Sequence, residues 1–439
     1  MTAFQNETIA ECSAAASLQR GRPERLTILI VNDFAHVNGG AAEVALSSAA
    51  GLARRGHKVS LVAAVAPIAS DLRDSSVQVV LTDQYDIKSD PRRLRAAIQG
   101  IWNHRAETTM DRLLRDCDPR STIVHVHGWC KALSSSVVRQ ALRLQFRVVV
   151  TLHDYFYACP SGGFFNFPQK KICPLTPLSA ACILENCDRD GYVQKLWRVM
   201  RQEVQNTVGS FRDIRSFITL SDFSENILRP FFPPNATVYR VPNPINVTRR
   251  PPVDVGNNRT FIAAGRISAE KGLTLLAQAA ADLNCHLTLI GDGPARQEVS
   301  SIYPRTQITG WKSRDEVTLQ LGLARALVFP SIWYEAQPLV VGQAAALGIP
   351  AIVPDRCAAR EWVLDGITGW WFESGNFSDL KDKMARLQDA ETARKMGQAA
   401  YELYWRDPNT MTKHLETLES CYESILSRDS VEGRSGKAS

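Results

Sequence analysis

The chain has 439 residues, 45% apolar and 22% charged, with a formal net charge of +6. That balance excludes disordered and fibrous classes and supplies enough apolar residues for about two or three folded domains. No apolar run approaches the roughly 20 residues a membrane-spanning helix needs.

Residues 1–24 lack the apolar stretch of a signal peptide and read as a disordered leader, so a cytoplasmic protein is expected. From there the chain alternates short apolar runs with amphipathic stretches. LTILIVN (26–32), KVSLVAA (58–64), VQVVLT (77–82), STIVHVH (121–127), RVVVTLH (147–153), RSFITLS (215–221) and TVYRVPN (237–243) read as buried strands. A polar helix is predicted over 91–115 and another helix over 192–209. Near-continuous Val and Ile runs separated by helices imply parallel strands covered on both faces.

A Pro- and Asn-rich stretch, 243–258, then interrupts the pattern. Strands resume with RTFIAAG (259–265), HLTLIGD (286–292), ARALVFP (324–330) and PAIVPD (350–355). The fold expected is α/β, with two doubly wound domains, 25–245 and 246–404, facing across a cleft. A helix over 405–428 and a frayed tail over 429–439 complete the chain. Charge is uneven: residues 1–245 hold 29 Lys and Arg against 22 Asp and Glu, and the rest 22 against 23. A basic first half suits an anionic substrate or membrane surface, and is equally compatible with an ordinary solvated face. Nothing in the pattern calls for a nucleic-acid partner.

Several junctions carry chemistry. Gly39 and Gly40 follow the first strand and open a helix, where backbone N–H groups can meet an anion. Neither this turn nor Gly291-Asp292-Gly293 completes the glycine fingerprint of dinucleotide binding, which disfavours an oxidoreductase. Arg266 and Lys271 flank a helix start just past a strand, as two cations for a diphosphate would, or as two surface cations. Glu335 stands between an apolar strand and a helix near Pro338 rich in small residues. His125 and His127 alternate on one strand and share a face, and Trp129 ends that strand.

GRISAEKG, LTLIGDGP and PSIWYEAQPLVVGQAAALGIPAIV, in that order, with GGAAEVALSSAAGLARRGHKVSLVA and TLHD upstream, resemble the retaining GT-B glycosyltransferases of family GT4. The resemblance spans nearly the whole chain. It implies two Rossmann-like domains, with the helix over 405–428 crossing back to the first, a nucleotide diphosphate sugar held by the second and a glycan acceptor, lipid-linked and destined for cell-surface polysaccharide, held by the first. It also implies a reaction that requires no cofactor. The basic first half and the mixed cationic and apolar helix over 192–209 suit peripheral contact with the inner membrane face, or, for the helix, ordinary packing.

The resemblance assigns Arg266 and Lys271 to the diphosphate and Glu335 to the donor sugar, as the first acid of an E-x7-E motif. It puts His153 near the transferred group, and Gly39, Gly40, Gly291 and the amides of Leu339 and Val340 around the donor. His127, Trp129 and Asp154 are expected on the acceptor side. One position departs from the pattern. The second acid, the ribose partner, is Gln343, a neutral and weaker acceptor. That departure keeps a non-catalytic nucleotide-sugar-binding protein open, alongside an epimerase on the same fold.

An insertion over 155–190 follows TLHD and places Cys159, Cys173, Cys182 and Cys187 within 29 residues. Four thiolates can hold such a loop on zinc or an iron–sulfur cluster; free thiols or two disulfides are the alternatives. Its aromatics can stack on a sugar, touch lipid, or form a small core of their own.

Overall fold

The computed structural model describes residues 25–435. The leader expected over 1–24 and the last four residues lie outside them. The first sheet uses β1 (Thr27–Phe34), β2 (Lys58–Val65), β3 (Gln78–Leu81), β4 (Thr122–Val126) and β5 (Arg147–Thr151). A two-stranded hairpin, β6 (Phe165–Asn166) and β7 (Lys171–Ile172), lies in the insertion, and β8 (Ser216–Thr219) and β9 (Thr237–Arg240) finish the sheet. Its order is β3-β2-β1-β4-β5-β8-β9, parallel throughout. The central strand β1 is buried along seven of its eight residues, which is why it reads as an unbroken apolar run.

The second sheet holds β10 (Thr260–Ala264), β11 (His286–Ile290), β12 (Gln307–Ile308), β13 (Ala324–Val328), β14 (Ala351–Pro354) and β15 (Gly369–Phe372). Its order is β12-β11-β10-β13-β14-β15, again parallel. Both sheets reverse direction of winding beside their first strand. The loops leaving the carboxyl ends of β1, β4, β5, β10 and β13 border one gap between the lobes, where an open parallel sheet binds its ligand.

Three predicted elements need correction. The helix over 91–115 is two helices, Arg93–Ile101 and His104–Arg115, because the Asn103 side chain accepts the Ala106 amide and starts a new one. Pro408 follows helix Ala390–Arg406, and the chain restarts as Met411–Ser435, so the segment over 405–428 is not one helix. That last helix runs through most of the expected frayed tail. The hairpin, β12 and β15 had no prediction; each is four residues or fewer, too short for a periodic signal.

Helix Met411–Ser435 packs on the first sheet although it follows the second in sequence. Leu415, Leu418, Tyr422 and Ile425 join Ile28, Leu46, Leu52 and Leu61 in one core. The approach needs Gly51: a Cβ there would stand 2.6 Å from Leu415 Cδ1. Polar contacts fix the register. Arg55 and His57 both reach Glu419, at 2.7 and 2.8 Å, and Tyr422 Oη meets His125 Nδ1 at 2.6 Å.

Candidate active site

The interlobe cleft has a volume of about 890 Å3. Two helix N-termini open into it from opposite lobes. Helix Gly40–Arg54 begins behind Gly39, whose φ of 92° is a conformation glycine adopts freely, and has no side-chain cap. Helix Leu339–Ala346 begins behind Pro338, also with no side-chain cap. A Cβ on Gly40 would lie 3.6 Å from Leu339 Cδ1, so the two helix starts face one another at contact distance. Uncapped N-termini leave amides without partners and carry the positive end of the helix dipole. Two of them on one gap make an anion site built from backbone alone.

Beside that site stand Lys271 and Glu335, both lining the cleft. One carboxylate oxygen of Glu335, Oε1, accepts from Lys271 Nζ at 2.5 Å, Trp333 Nε1 at 2.6 Å and Ser331 Oγ at 3.0 Å. Its second oxygen takes no hydrogen bond from any described residue, so it remains available to a ligand hydroxyl. Arg266 is exposed and unpartnered among the described residues; its neighbours Ala264 and Gly265 line the cleft, whereas Arg266 itself does not. Gln343 and the first-turn residues Leu339 and Val340 line the cleft as well.

Gly291 does not. Its φ is 144°, and a Cβ there would meet the Gly265 carbonyl oxygen at 2.0 Å, so it serves the close approach of the β10 and β11 ends. Trp129, 5% exposed, borders the small recess that His127 and Asp154 line, while its ring packs on Phe211 and donates its indole N–H to Gln205 at 2.8 Å, so it is also part of the first lobe's core.

His153 faces the cleft from the end of β5 and meets His127 Nδ1 through its Nε2 at 2.9 Å. His127 stacks in turn on His125, centroids 4.0 Å apart, and His125 is held by Tyr422 and, at 2.7 Å, by Thr151. Burial pushes His153 and His125 down to about 3 and His127 down as well, so the row is neutral near pH 7. A neutral His153 offers the cleft a directed hydrogen bond rather than a charge. The Nε2 of His127 has no partner and belongs to a small recess that Asp154, Lys131 and Asn38 also line.

Among the cleft residues that sequence reading missed, four make contacts that bear on the site. Lys312 and Arg314 line it from the loop after β12, and Arg314 pairs with Glu43 of the other lobe. Ser313 and Glu316 form a capping box, so this loop reads as a helix start and masks its cations. Gln337 accepts the Asn243 amide at 2.7 Å, and Ala336 accepts Ser221 Oγ at 2.6 Å, fastening the Glu335 loop to the first lobe.

The insertion lies against the second lobe. Arg189 reaches Glu270 at 2.8 Å, next to Lys271, and Tyr155 and Phe164 pack on Tyr334. Among the described residues no group of three or more His, Cys, Asp or Glu is arranged to hold a metal ion. Of the four cysteines of the insertion, Cys182 and Cys187 take the Lys195 side-chain nitrogen, Cys159 is also buried and Cys173 is partly exposed.

Comparison with known proteins follows the same division. Residues 38–249 match Glycosyltransferase Family 4, and residues 246–403 match Glycosyl transferases group 1. An alpha-D-kanosaminyltransferase of Streptomyces kanamyceticus is 29% identical over 158 residues, 32% of this chain; the stretch spans 41% of that relative's length. The solved sucrose-phosphate synthase of Thermosynechococcus elongatus superposes with a TM-score of 0.67 at 16% identity, covering 92% of this chain and 99% of that one. Anabaena HepE in complex with UDP-glucose gives 0.62 at 14% identity, covering 91% of this chain and 100% of that one. Two parallel sheets facing a cleft, matched end to end by such structures, are the GT-B architecture, and the chain belongs to the group 1, family 4 glycosyltransferases.

Proposed function

We propose that this protein transfers a hexose from a nucleotide diphosphate sugar to a glycan acceptor, with retention at the anomeric carbon. The observation that carries the reading is the pair of uncapped helix N-termini, Gly40 and Leu339, facing one another beside the Lys271–Glu335 pair. A diphosphate seated there meets backbone amides from both lobes, the Lys271 ammonium and the guanidinium of Arg266. As the sugar–phosphate bond lengthens, negative charge grows on the departing phosphate, and these fixed donors stabilise it. The second oxygen of Glu335 takes a sugar hydroxyl and orients the reacting carbon. Neutral His153 donates or accepts a hydrogen bond beside the transferred group. The acceptor approaches from the recess holding His127 and Asp154 in the first lobe.

Retention fits a same-face attack in which the departing phosphate receives the acceptor proton, with Lys271, Glu335 and His153 binding and orienting rather than attacking. A lipid-linked acceptor, with the protein resting on a membrane surface, is supported by helix Tyr192–Thr207. That helix buries Lys195, Arg201, Gln202 and Gln205, yet exposes Val193 by 84%, Leu196 by 41% and Met200 by 49%. Among the described residues no helix is long and apolar enough to cross a membrane.

The test is nucleotide release from UDP-, GDP- and ADP-sugars, with and without candidate glycan acceptors. Release with one donor, abolished in Glu335→Ala, supports transfer. Donor binding without turnover in any mixture would support the non-catalytic binding protein that Gln343 keeps in view.

A further inference from the structure

Lys195 is 1% exposed, and its polar partners are two sulfurs. Its Nζ lies 3.2 Å from Cys187 Sγ and 3.4 Å from Cys182 Sγ. A buried lysine is ordinarily matched to a carboxylate or a row of carbonyls. Here no carboxylate pairs with it: the nearby Asp188 is taken by Arg198 at 2.7 Å. A sulfur is a weak acceptor, so this buried nitrogen is left at contact distance from two cysteines with no better partner. Cys182 and Cys187 are 5% and 4% exposed, which shuts out bulky reagents but suits an oxidant as small as hydrogen peroxide.

We propose that Cys187 and Lys195 form an oxidative modification site, closing under peroxide into a covalent nitrogen–oxygen–sulfur bridge. The balance is written from the amine and the thiol. One peroxide takes two electrons from sulfur, giving a sulfenic acid and water. A second takes two electrons from nitrogen, giving a hydroxylamine and water. Condensation of the two forms one S–O–N link and releases a third water. In sum, one thiol, one amine and two peroxides give the bridge and three waters. The present 3.2 Å separation leaves only a small side-chain rotation before one oxygen atom spans the gap.

The bridge ties the loop carrying Cys187 to helix Tyr192–Thr207. Two residues along that loop, Arg189 makes its interlobe contact with Glu270, so oxidation pins the segment that touches the second lobe next to Lys271.

The test is peptide mass analysis of the full-length protein, purified under reductant and then treated with hydrogen peroxide. The expected product joins the tryptic peptide bearing Cys187 to the one bearing Lys195, with a gain of one oxygen and a loss of two hydrogens. Cleavage after Lys195 disappears, and a thiol reductant restores it. The joined species persists in Cys182→Ser and is absent from Cys187→Ser and Lys195→Arg, whose folding is checked by circular dichroism. The wild-type digest alone suffices to overturn the proposal. A loss of two hydrogens within the single peptide carrying Cys182 and Cys187 means a disulfide instead. Oxygen on Cys187 with Lys195 still cleaved means no bridge. Stoichiometric zinc with unreactive thiols means a metal site.

Discussion

Lys271 and Glu335 meet at 2.5 Å in the wall of the cleft, joining the loop after β10 to the loop after β13. The carboxylate is held on one oxygen by three donors, and the ammonium is held in front of two helix N-termini. Each residue therefore orients the other as well as any ligand. Lys271→Ala is expected to lower kcat/KM for transfer by about 10²–10³-fold, the usual cost of losing one donor to developing charge. Arg266→Ala is expected to weaken nucleotide diphosphate affinity while leaving the melting temperature unchanged, because Arg266 has no partner among the described residues. Steady-state kinetics, calorimetry with the nucleotide and a thermal melt separate the two roles.

Gln343 lines the cleft where the family pattern has an acid. A carboxylate forms stronger, charge-assisted hydrogen bonds with ribose hydroxyls. Gln343→Glu is expected to tighten nucleotide binding by roughly tenfold, about 1.4 kcal/mol. Unchanged affinity by calorimetry would place the ribose away from this residue.

The buried histidines make stability pH-dependent. His125 and His153 are pushed down to about 3 and His414 to about 4 from the ordinary 6.5. Between those values the unfolded chain binds more protons than the folded one, so stability rises with pH through this window and is lost on acidification below 6.5. Each such histidine costs about 1.4 kcal/mol by about pH 5.5. His127 is pushed down as well, so urea unfolding at about pH 7.5 and 5.5 is expected to show a fall of roughly 5–6 kcal/mol for the four together.

Tyr422 anchors the last helix to the first lobe through His125. Tyr422→Phe keeps the ring and removes the hydroxyl, an expected loss of about 1–2 kcal/mol. Tyr422→Ala also opens a cavity in the core beneath β1, an expected loss of about 3–5 kcal/mol. Equilibrium unfolding checks both; equal losses would mean that ring packing contributes nothing.

The exposed stripe Val193, Leu196 and Met200 predicts a binding phenotype without a folding phenotype. Replacing Leu196 and Met200 by Ser is expected to leave the melting temperature unchanged and to weaken sedimentation with anionic lipid vesicles several-fold. Undiminished sedimentation would remove this face from the membrane reading.

Periodicity and turn chemistry were enough to read the α/β class, the positions of the main strands and the restart of the pattern after residue 258, because a strand buried on both faces must be apolar along its length. The strand-end positions of Lys271, Glu335 and His153 were legible for the same reason: in such sheets function gathers where strands end. Tertiary structure alone decided the rest. Trp129 ends a strand as an acceptor-side residue would, yet it turns inward to Gln205, and no local pattern records which way a ring will pack. Lys312 and Arg314 were hidden inside a capping box, since only the opposite lobe gives them something to face. The return of the last helix to the first lobe was expected from the family resemblance, but its contacts, Tyr422 on His125 and Glu419 on Arg55 and His57, were not, and Lys195 finds its two sulfurs across a loop. Those pairings depend on the route of the whole chain: periodicity specifies what a residue's own element needs, whereas a contact between distant elements is settled when they pack.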